Sequence, residues 1–495
     1  MDLQFSSTML LLVFLVPFLF MVWMNTKMST KQKLPPGPRK LPLVGNLHNM
    51  LGLTHQTLRY LSNKYGPLLH LQLGEFSVVF VSSPRVAKQI MNTHDLVFAD
   101  RPEFFAGKIT GYDSSGISLS PYGEYYKQVR MISTMEILSA KKVRSFRSLR
   151  EEEVSNMIQA ISLKSGSPIN LSEKLTSLSN DIVSRAAFGN KCKNKEMLVS
   201  ALQEAASLAD LTFEDLFPSL KLLHFIGGMK EKLTRIHKKI DTILEEMIEE
   251  HKRDRSLRYL EEDFVDVLLR VQDSGELKVP LTTDNIKAVI ADIFAGGTES
   301  TGTTIEWAMS ELLKNPCMME KVQTEVRQVF DGKKQHDETD IAKLEYLKLV
   351  VKETMRLHPP APLLVPRECR ERCEIDGYDI PAKTKVVVNA WAIARDPEYW
   401  NDADEFQPER FRGNSVDYKG TNFEYIPFGA GRRICPGISF GVAVVELTLA
   451  QLLYHFDSKL SGEGKPEDLD MTELYGITVR RKYDLVAIPI PYVPS

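Results

Sequence analysis

The sequence predicts a mainly α-helical protein with a small β portion, built as one large domain behind an N-terminal transmembrane helix. Three observations carry that reading. From Gly123 to about Ile290 the apolar pattern is mostly helical, and a longer helix is written between Thr282 and Pro316. The β-like runs are few and short: Leu68–Leu73, Val78–Val81, Val386–Asn389 and Val486–Ile490. The 495 residues contain no internal repeat and no long low-complexity segment.

In chain order, the apolar N-terminus comes first. From Leu3 to Met24 the chain is nearly all apolar, about the span that crosses ~30 Å of hydrocarbon, and Met9 to Met24 carries no charge. Lys27, Lys31, Lys33, Arg39 and Lys40 follow it, which places the body on the cytosolic side. A cleaved signal is the competing reading, but no basic stretch precedes the apolar run and no small-x-small site follows it. The expected organisation is an anchor over 1–24, a polar linker and proline hinge over 25–42, and a catalytic domain over 43–495. Pro35-Pro36-Gly37-Pro38 stiffens the hinge, because proline fixes its own φ and restricts its predecessor.

Composition narrows the function. Apolar residues make up 43% and charged residues 26%, a globular balance. The net charge of −3 argues against a nucleic-acid partner. Five cysteines (Cys192, Cys317, Cys369, Cys373, Cys435) are too scattered for a disulfide framework. Cys369 and Cys373 lack a second metal-binding pair and read as plain thiols. The charged stretch Glu249 to Asp263 reads as a solvated connection.

The long helix has Thr282 or Thr283 as its cap and runs to Asn315. Glycine costs about 1 kcal/mol in a helix interior, yet Gly296-Gly297-Thr298-Glu299-Ser300-Thr301 sits at its middle. Gly296 and Ser300 share a face, so the missing side chain leaves room beside the hydroxyl for a diatomic ligand. The hydroxyl is also expected to loosen the backbone ladder there. Glu299 beside it supplies an acid for proton delivery. Further on, Glu353 and Arg356 are three apart on one helical face, and Pro408-Glu409-Arg410-Phe411 brings a second arginine. We read Glu353, Arg356 and Arg410 as a buried structural network.

The run Pro427-Phe428-Gly429-Ala430-Gly431-Arg432-Arg433-Ile434-Cys435-Pro436-Gly437 holds one cysteine in a glycine-rich turn. That suits one thiolate on one metal centre, and a thiolate on haem iron favours O–O cleavage.

In these residues the chain resembles the cytochrome P450 family. The haem-loop pattern F-x-x-G-x-R-x-C-x-G is matched by Phe428, Gly431, Arg433, Cys435 and Gly437. E-x-x-R is matched by Glu353 and Arg356, P-E-R-F by residues 408–411, the oxygen-activation segment by Gly296 to Thr301, and the proline hinge by residues 35–38. Longer blocks look like the plant microsomal branch, and within it like enzymes that oxidise terpene skeletons. The resemblance implies the cytochrome P450 fold and haem b held by the Cys435 thiolate, with O2 as cosubstrate. It implies that Phe428 packs on the loop and that Arg433, Arg130 and Arg367 bind haem propionates. Substrate-facing stretches would be about 98–120, 205–228, 288–304, 361–365 and 474–478. Two positions depart from the family. Tyr126 stands where tryptophan is usual, so its propionate contact is less expected than that of Arg130. Ser300 stands where threonine is usual, which keeps the hydroxyl but loses the methyl that fixes its rotamer. Thr301 is the substitute to consider, though one residue along a helix turns about 100°.

No G-x-G-x-x-G fingerprint appears at a strand–helix boundary, so NADPH is expected to act through a separate NADPH–cytochrome P450 reductase. Cytochrome b5 is a second expected donor, and Lys127, Arg130, Lys141, Lys142 and Arg432 are candidates for a basic docking face. The expected setting is the endoplasmic reticulum membrane, crossed once. The expected reaction inserts one oxygen atom into an apolar terpenoid, with a phenolic or alkaloid substrate as runner-up. A haem-thiolate isomerase or lyase, and a non-catalytic haem sensor, are the other classes. The Glu299–Ser300 pair argues against the isomerase, and the lack of any signalling domain argues against the sensor.

Overall fold

A computed structural model describes residues 33–50, 52–189, 194–208, 211–220, 227–254, 262–333, 338–461 and 465–493. The expected anchor over 1–24 and Cys192 lie outside these. One described helix, Ile438–His455, is long and apolar enough to cross a membrane, but it packs into the protein core.

The first β-like runs form as written. Leu68–Leu73 (β1) and Phe76–Val81 (β2) pair antiparallel, Leu68 opposite Val81 and Leu73 opposite Phe76. Later strands are Ile169–Asn170 (β3), Arg367–Glu368 (β4), Lys385–Val388 (β5), Phe456–Leu460 (β6), Glu473–Leu474 (β7), Arg480–Arg481 (β8) and Val486–Pro491 (β9). One sheet has the order β1-β2-β5-β4, with β2 and β5 parallel and β4 at its edge carrying Arg367. β9 lies between β3 and β6, and β7 pairs with β8 alone. The proline hinge docks on the first sheet. His70 N donates to Pro36 O at 2.9 Å, and a Cβ on Gly37 would stand 2.2 Å from His70 O.

The helices that position the site are Glu124–Ile132 (α1), Leu171–Phe188 (α2), Met229–Asp254 (α3), Thr283–Lys314 (α4), Glu345–Leu357 (α5) and Ile438–His455 (α6). Thr282 caps α4 in a reciprocal box with Asn285, and Pro316 opens the next helix. The expected loosening of α4 is not seen: the helix is continuous through residues 296–301. Its glycines serve packing. A Cβ on Gly302 would lie 3.4 Å from Leu175 O, and one on Gly297 3.2 Å from Val183, so α2 crosses α4 at close range. Leu175, Leu178 and Ile182 of α2 join Val289, Phe294 and Ile305 of α4 and Val444 and Leu449 of α6 in the main core. Each such side chain contributes roughly 1.5–3 kcal/mol by leaving water.

One sequence expectation is corrected. The stretch Glu249 to Asp263 is not simply a solvated connection. α3 continues to Asp254, and His251 is 1% exposed with Nε2 2.9 Å from Asp263 Oδ2. Asp263, also buried, caps the helix Phe264–Asp273. The histidine–carboxylate bond offsets the cost of burying both groups. Cys369 and Cys373 are free thiols, as read.

Candidate active site

The cysteine loop is shaped by one carboxylate. Gly431 has φ +67°, and a Cβ there would meet Met91 O at 2.1 Å and both Asp95 oxygens at 2.8 Å. Asp95 accepts from Arg432 N at 2.8 Å and from Arg367 Nη1 at 2.9 Å. Arg367 Nη2 donates to Ala430 O at 2.8 Å. Arg367 is therefore occupied in holding the loop. Cys435 N donates to Phe428 O at 2.9 Å, which closes the turn, and Phe428 packs edge-on against Tyr418. Gly437 caps α6. Burial pushes the Cys435 thiol up, while the Gly437 amide and the Arg130 charge pull it down. A cation bound to the sulfur would settle that contest in favour of the thiolate.

Three buried arginines lie together beside this loop. Arg433 Nε donates to Ala99 O at 2.8 Å and Nη2 to Ser120 O at 2.6 Å, while Nη1 is buried without a partner. Its guanidinium lies 3.6 Å from the Tyr126 ring centroid. Arg101, which the sequence reading missed, spends Nε on Ser118 O and Nη1 on Val365 O and Pro366 O. Burial, and then repulsion from Arg433 and Arg367, pulls Arg101 well below its usual range. Burial likewise takes Arg433 down to about 10. A guanidinium stays charged in a protein; Arg101 and Arg433 bond to carbonyls and, for Arg433, to Tyr126, while Asp292 and Asp100 act on them only from a distance, so the pair can take an anion. The orphaned Nη1 of Arg433 and this surplus charge fit the propionates of a haem bound at Cys435.

The other departure on this side resolves into a contact. The Tyr126 hydroxyl donates to Arg432 O at 3.0 Å and its ring underlies Arg433. Tyr126 therefore supports Arg433 and the loop and is not itself free for a propionate. Arg130 is half-buried, with its charge felt at Cys435.

α4 packs against α6, the helix that follows the cysteine loop. Ala295 and Gly296 are exposed although the helix runs through the core, and a Cβ on Gly296 would meet no atom within 4 Å. The Ser300 hydroxyl donates to Gly296 O at 2.6 Å, which holds its rotamer without the methyl. Thr301 is 6% exposed and faces α6, 3.8 Å from where a Cβ on Gly441 would stand. That orientation takes Thr301 out of the role of substitute for Ser300, for the helical reason that a one-residue step turns about 100°. Burial raises the Glu299 carboxyl, while Arg480 and a hydrogen bond with Thr478 draw it back. Glu299 thus turns toward residues 478–480 and not toward Ser300.

A second acid on α4 was not anticipated. Asp292 accepts from Ser118 N at 2.8 Å and Ser118 Oγ at 2.9 Å. It pins the 115–120 loop, and Gly116 fits because a Cβ there would stand 2.3 Å from Asp292 Oδ2. Its signal in the sequence was a lone acid inside the apolar run 288–294.

The structural network forms as read. Glu353 and Arg356 are both 0% exposed. Arg356 Nε donates to Glu353 Oε2 at 2.7 Å and Nη2 to Oε1 at 2.9 Å. Arg410 Nε joins at 2.9 Å, and the Ala394, Ala403 and Glu405 carbonyls take the remaining Arg356 donors.

A looped cysteine under an acid-and-alcohol helix, flanked by arginines that lack an anion, defines a haem-thiolate oxygenase site. The chain belongs to the cytochrome P450 family, whose model matches residues 35–487. It is 57% identical over 494 residues to desmethyl-deoxy-podophyllotoxin synthase of Sinopodophyllum hexandrum, covering 98% of this chain and 97% of that one. It is 51% identical over 501 residues to premnaspirodiene oxygenase of Hyoscyamus muticus, covering 99% of each. A zebra fish cytochrome P450 solved with abiraterone superposes at a TM-score of 0.76, with 24% identity over 88% of this chain and 99% of that one. The protein is a cytochrome P450 monooxygenase, which uses a haem held by a cysteine thiolate, O2, a redox partner and a small-molecule substrate.

Proposed function

We propose that this enzyme inserts one oxygen atom of O2 into a terpenoid skeleton, with a sesqui- or diterpenoid favoured. The products would be alcohols, epoxides or closed ether rings. Electrons come from NADPH through NADPH–cytochrome P450 reductase, with cytochrome b5 as a second donor. Residues 1–24 hold the domain on the cytosolic face of the endoplasmic reticulum. The observation that supports the substrate class is the likeness, over 99% of each chain, to a relative named as a terpene oxygenase; the gap at Gly296, with no atom within 4 Å of a Cβ there, leaves room on that helix. That relative, premnaspirodiene oxygenase, is 51% identical.

The haem, when bound, supplies oxygen activation. Cys435 holds it through sulfur, and Arg433, Arg130 and Arg101 take its propionates. Arg367 and Asp95 keep the loop in the shape that presents the sulfur. Ser300 offers its hydroxyl beside the Gly296 gap. Glu299, raised by burial, keeps its proton to a higher pH than an exposed carboxyl would and is the acid that supplies it. Asp292 holds the 115–120 loop over the substrate space.

A second reading takes a phenolic or alkaloid substrate, and it stands because desmethyl-deoxy-podophyllotoxin synthase, at 57% identity, is not named as a terpene oxygenase. Microsomes with reductase and NADPH, given a panel of terpene skeletons and phenolics, separate the two when products are identified by mass. Turnover of a phenolic with none of any terpenoid overturns the terpenoid reading. Full turnover without NADPH and reductase would instead assign an isomerase.

A further inference from the structure

Cys369 directly follows β4, and its backbone is held from both sides. Its N donates to Thr384 O at 2.9 Å, and its O accepts from Lys383 N at 2.6 Å. Its side chain is 0% exposed. Cys373 opens a hairpin of Cys373–Ile375 and Tyr378–Ile380 and is registered opposite Ile380. Side chains alternate along a strand, so Cys373 and Ile375 share a face, and the directly opposed Ile380 shares it too. Ile375 and Ile380 are buried with Cys369 in one apolar cluster, and half-buried Cys373 packs against that cluster. Both thiols therefore face the same interior.

One carbonyl sets the spacing. The hairpin turns over Asp376 and Gly377, both at positive φ, so Ile375–Tyr378 and Cys373–Ile380 are its hydrogen-bonded pairs. Ile380 O accepts from Cys373 N, and Cys369 Sγ stands 4.0 Å from the same oxygen. With a backbone bond of about 2.9 Å, the Cys369 sulfur is no more than about 7 Å from the Cys373 amide before either side chain turns. A disulfide joins Cα atoms roughly 4.4–6.8 Å apart, so this spacing is of the right size. The hairpin keeps its place, because Arg85 Nη2 donates to Asp376 Oδ2 at 2.8 Å and Asp379 N donates to Lys33 O at 2.8 Å. Each sulfur donates to a carbonyl near it in the chain, Cys369 to Glu371 O at 2.9 Å and Cys373 to Glu374 O at 3.6 Å. Those bonds are weak ones to give up.

We propose that Cys369 and Cys373 are a peroxide-driven redox pair that closes to an internal disulfide. Cys373, the more exposed, meets the oxidant first. Its sulfur attacks hydrogen peroxide, an S–O bond forms as the O–O bond breaks, and one water leaves with the thiol proton. The Cys369 sulfur then attacks the sulfenic sulfur. The S–S bond forms, the S–O bond breaks, and a second water leaves with the Cys369 proton. The two thiols give up two electrons, and the peroxide is reduced to two waters. A dithiol reductant reverses the bond by exchange. Burial pushes the Cys369 thiol up to about 12 and raises Cys373 as well. Closure is therefore slow at neutral pH and speeds up as pH rises, because the thiolate is the nucleophile. The closed bond ties the hairpin to the end of β4, the strand that carries Arg367.

The test exposes the full-length haem-loaded enzyme to hydrogen peroxide without reductase or NADPH. The carbon monoxide band of the thiolate-ligated haem confirms that the treated protein is still folded. The protein is then alkylated in denaturant, digested and weighed. The peptide that carries both cysteines should lose two hydrogen atoms, take no alkyl group, and regain both sites after a dithiol reductant. The bond should form at least tenfold faster at about pH 8.5 than at about pH 7. Cys369→Ala should stop Cys373 at the sulfenic acid, captured by dimedone, and Cys317→Ser should leave the internal bond unchanged. The decisive readout is on the wild-type chain, so it stands even if Cys369→Ala fails to fold. Two alkyl groups on that peptide after peroxide treatment overturn the pair. So does Cys373 carried on to the sulfinic acid while Cys369 stays free, or a bond from either cysteine to Cys317.

Discussion

Replacing Gly431 with alanine should disable haem loading, and Gly413 provides the matched control. Both glycines have φ +67°. At Gly413 an added Cβ meets no atom within 4 Å, so Gly413→Ala carries only the left-handed penalty of about 1–2 kcal/mol. At Gly431 the same Cβ falls 2.1 Å from Met91 O and 2.8 Å from both Asp95 oxygens. Asp95 must move, and its bonds from Arg432 N and Arg367 Nη1 are lost or stretched. Charged hydrogen bonds contribute roughly 1.5–3 kcal/mol each. The expected cost for Gly431→Ala is therefore about 4–8 kcal/mol, a large share of the roughly 5–15 kcal/mol of a typical protein. The strain is local, so it appears as a loop that no longer presents Cys435. The assay is haem content per chain together with the carbon monoxide difference band of a thiolate-ligated haem. Gly413→Ala should keep both, with a small drop in melting temperature, and Gly431→Ala should lose most of both. If the two variants melt alike and both keep the thiolate band, the proposed role of Asp95 in shaping the loop is wrong.

Glu353→Gln should cost about 3–5 kcal/mol, because it leaves the Arg356 and Arg410 charges without their carboxylate; thermal unfolding of the haem-loaded protein checks this. Because the bond to Gly296 O already holds the hydroxyl, Ser300→Thr should leave product formed per NADPH unchanged, and a clear rise would refute that role of the bond. Burial, with Lys40 nearby, holds His70 down at about 4, against its ordinary value of 6.5. The unfolded chain takes up that proton first, so stability falls as pH drops from 6.5 toward 4, by roughly 3 kcal/mol in all. His70→Gln should flatten that part of the unfolding profile, measured by denaturant titration at pH 7 and pH 4.5.

Local signals carried the elements well. Prolines placed the hinge and the end of α4, a threonine cap placed its start, and short β-like runs placed β1, β2, β5 and β9, because these depend on residues close in the chain. Short-range pairing carried Glu353 and Arg356 as well, three apart on α5. Arg101, Asp95 and Asp292 were not legible, since their partners lie far along the chain: Ser118 and Val365 for Arg101, Arg367 and Arg432 for Asp95, Ser118 for Asp292. The His251–Asp263 bond was hidden because the charged composition around it reads as solvated.

By itself the sequence determined the class: a cysteine in a glycine-rich turn, an acid and an alcohol in a long helix, and a Glu–Arg pair, each a pattern a few residues wide. The tertiary structure decided what those groups face. It turned Thr301 toward α6, committed Tyr126 and Arg367 to the loop, left Arg433 with an unpaired donor, and set Glu299 against Thr478. The reason is physical. Residue type fixes which chemistry a side chain can do, whereas burial and distance, which set its charge and its partner, depend on chain segments hundreds of residues apart.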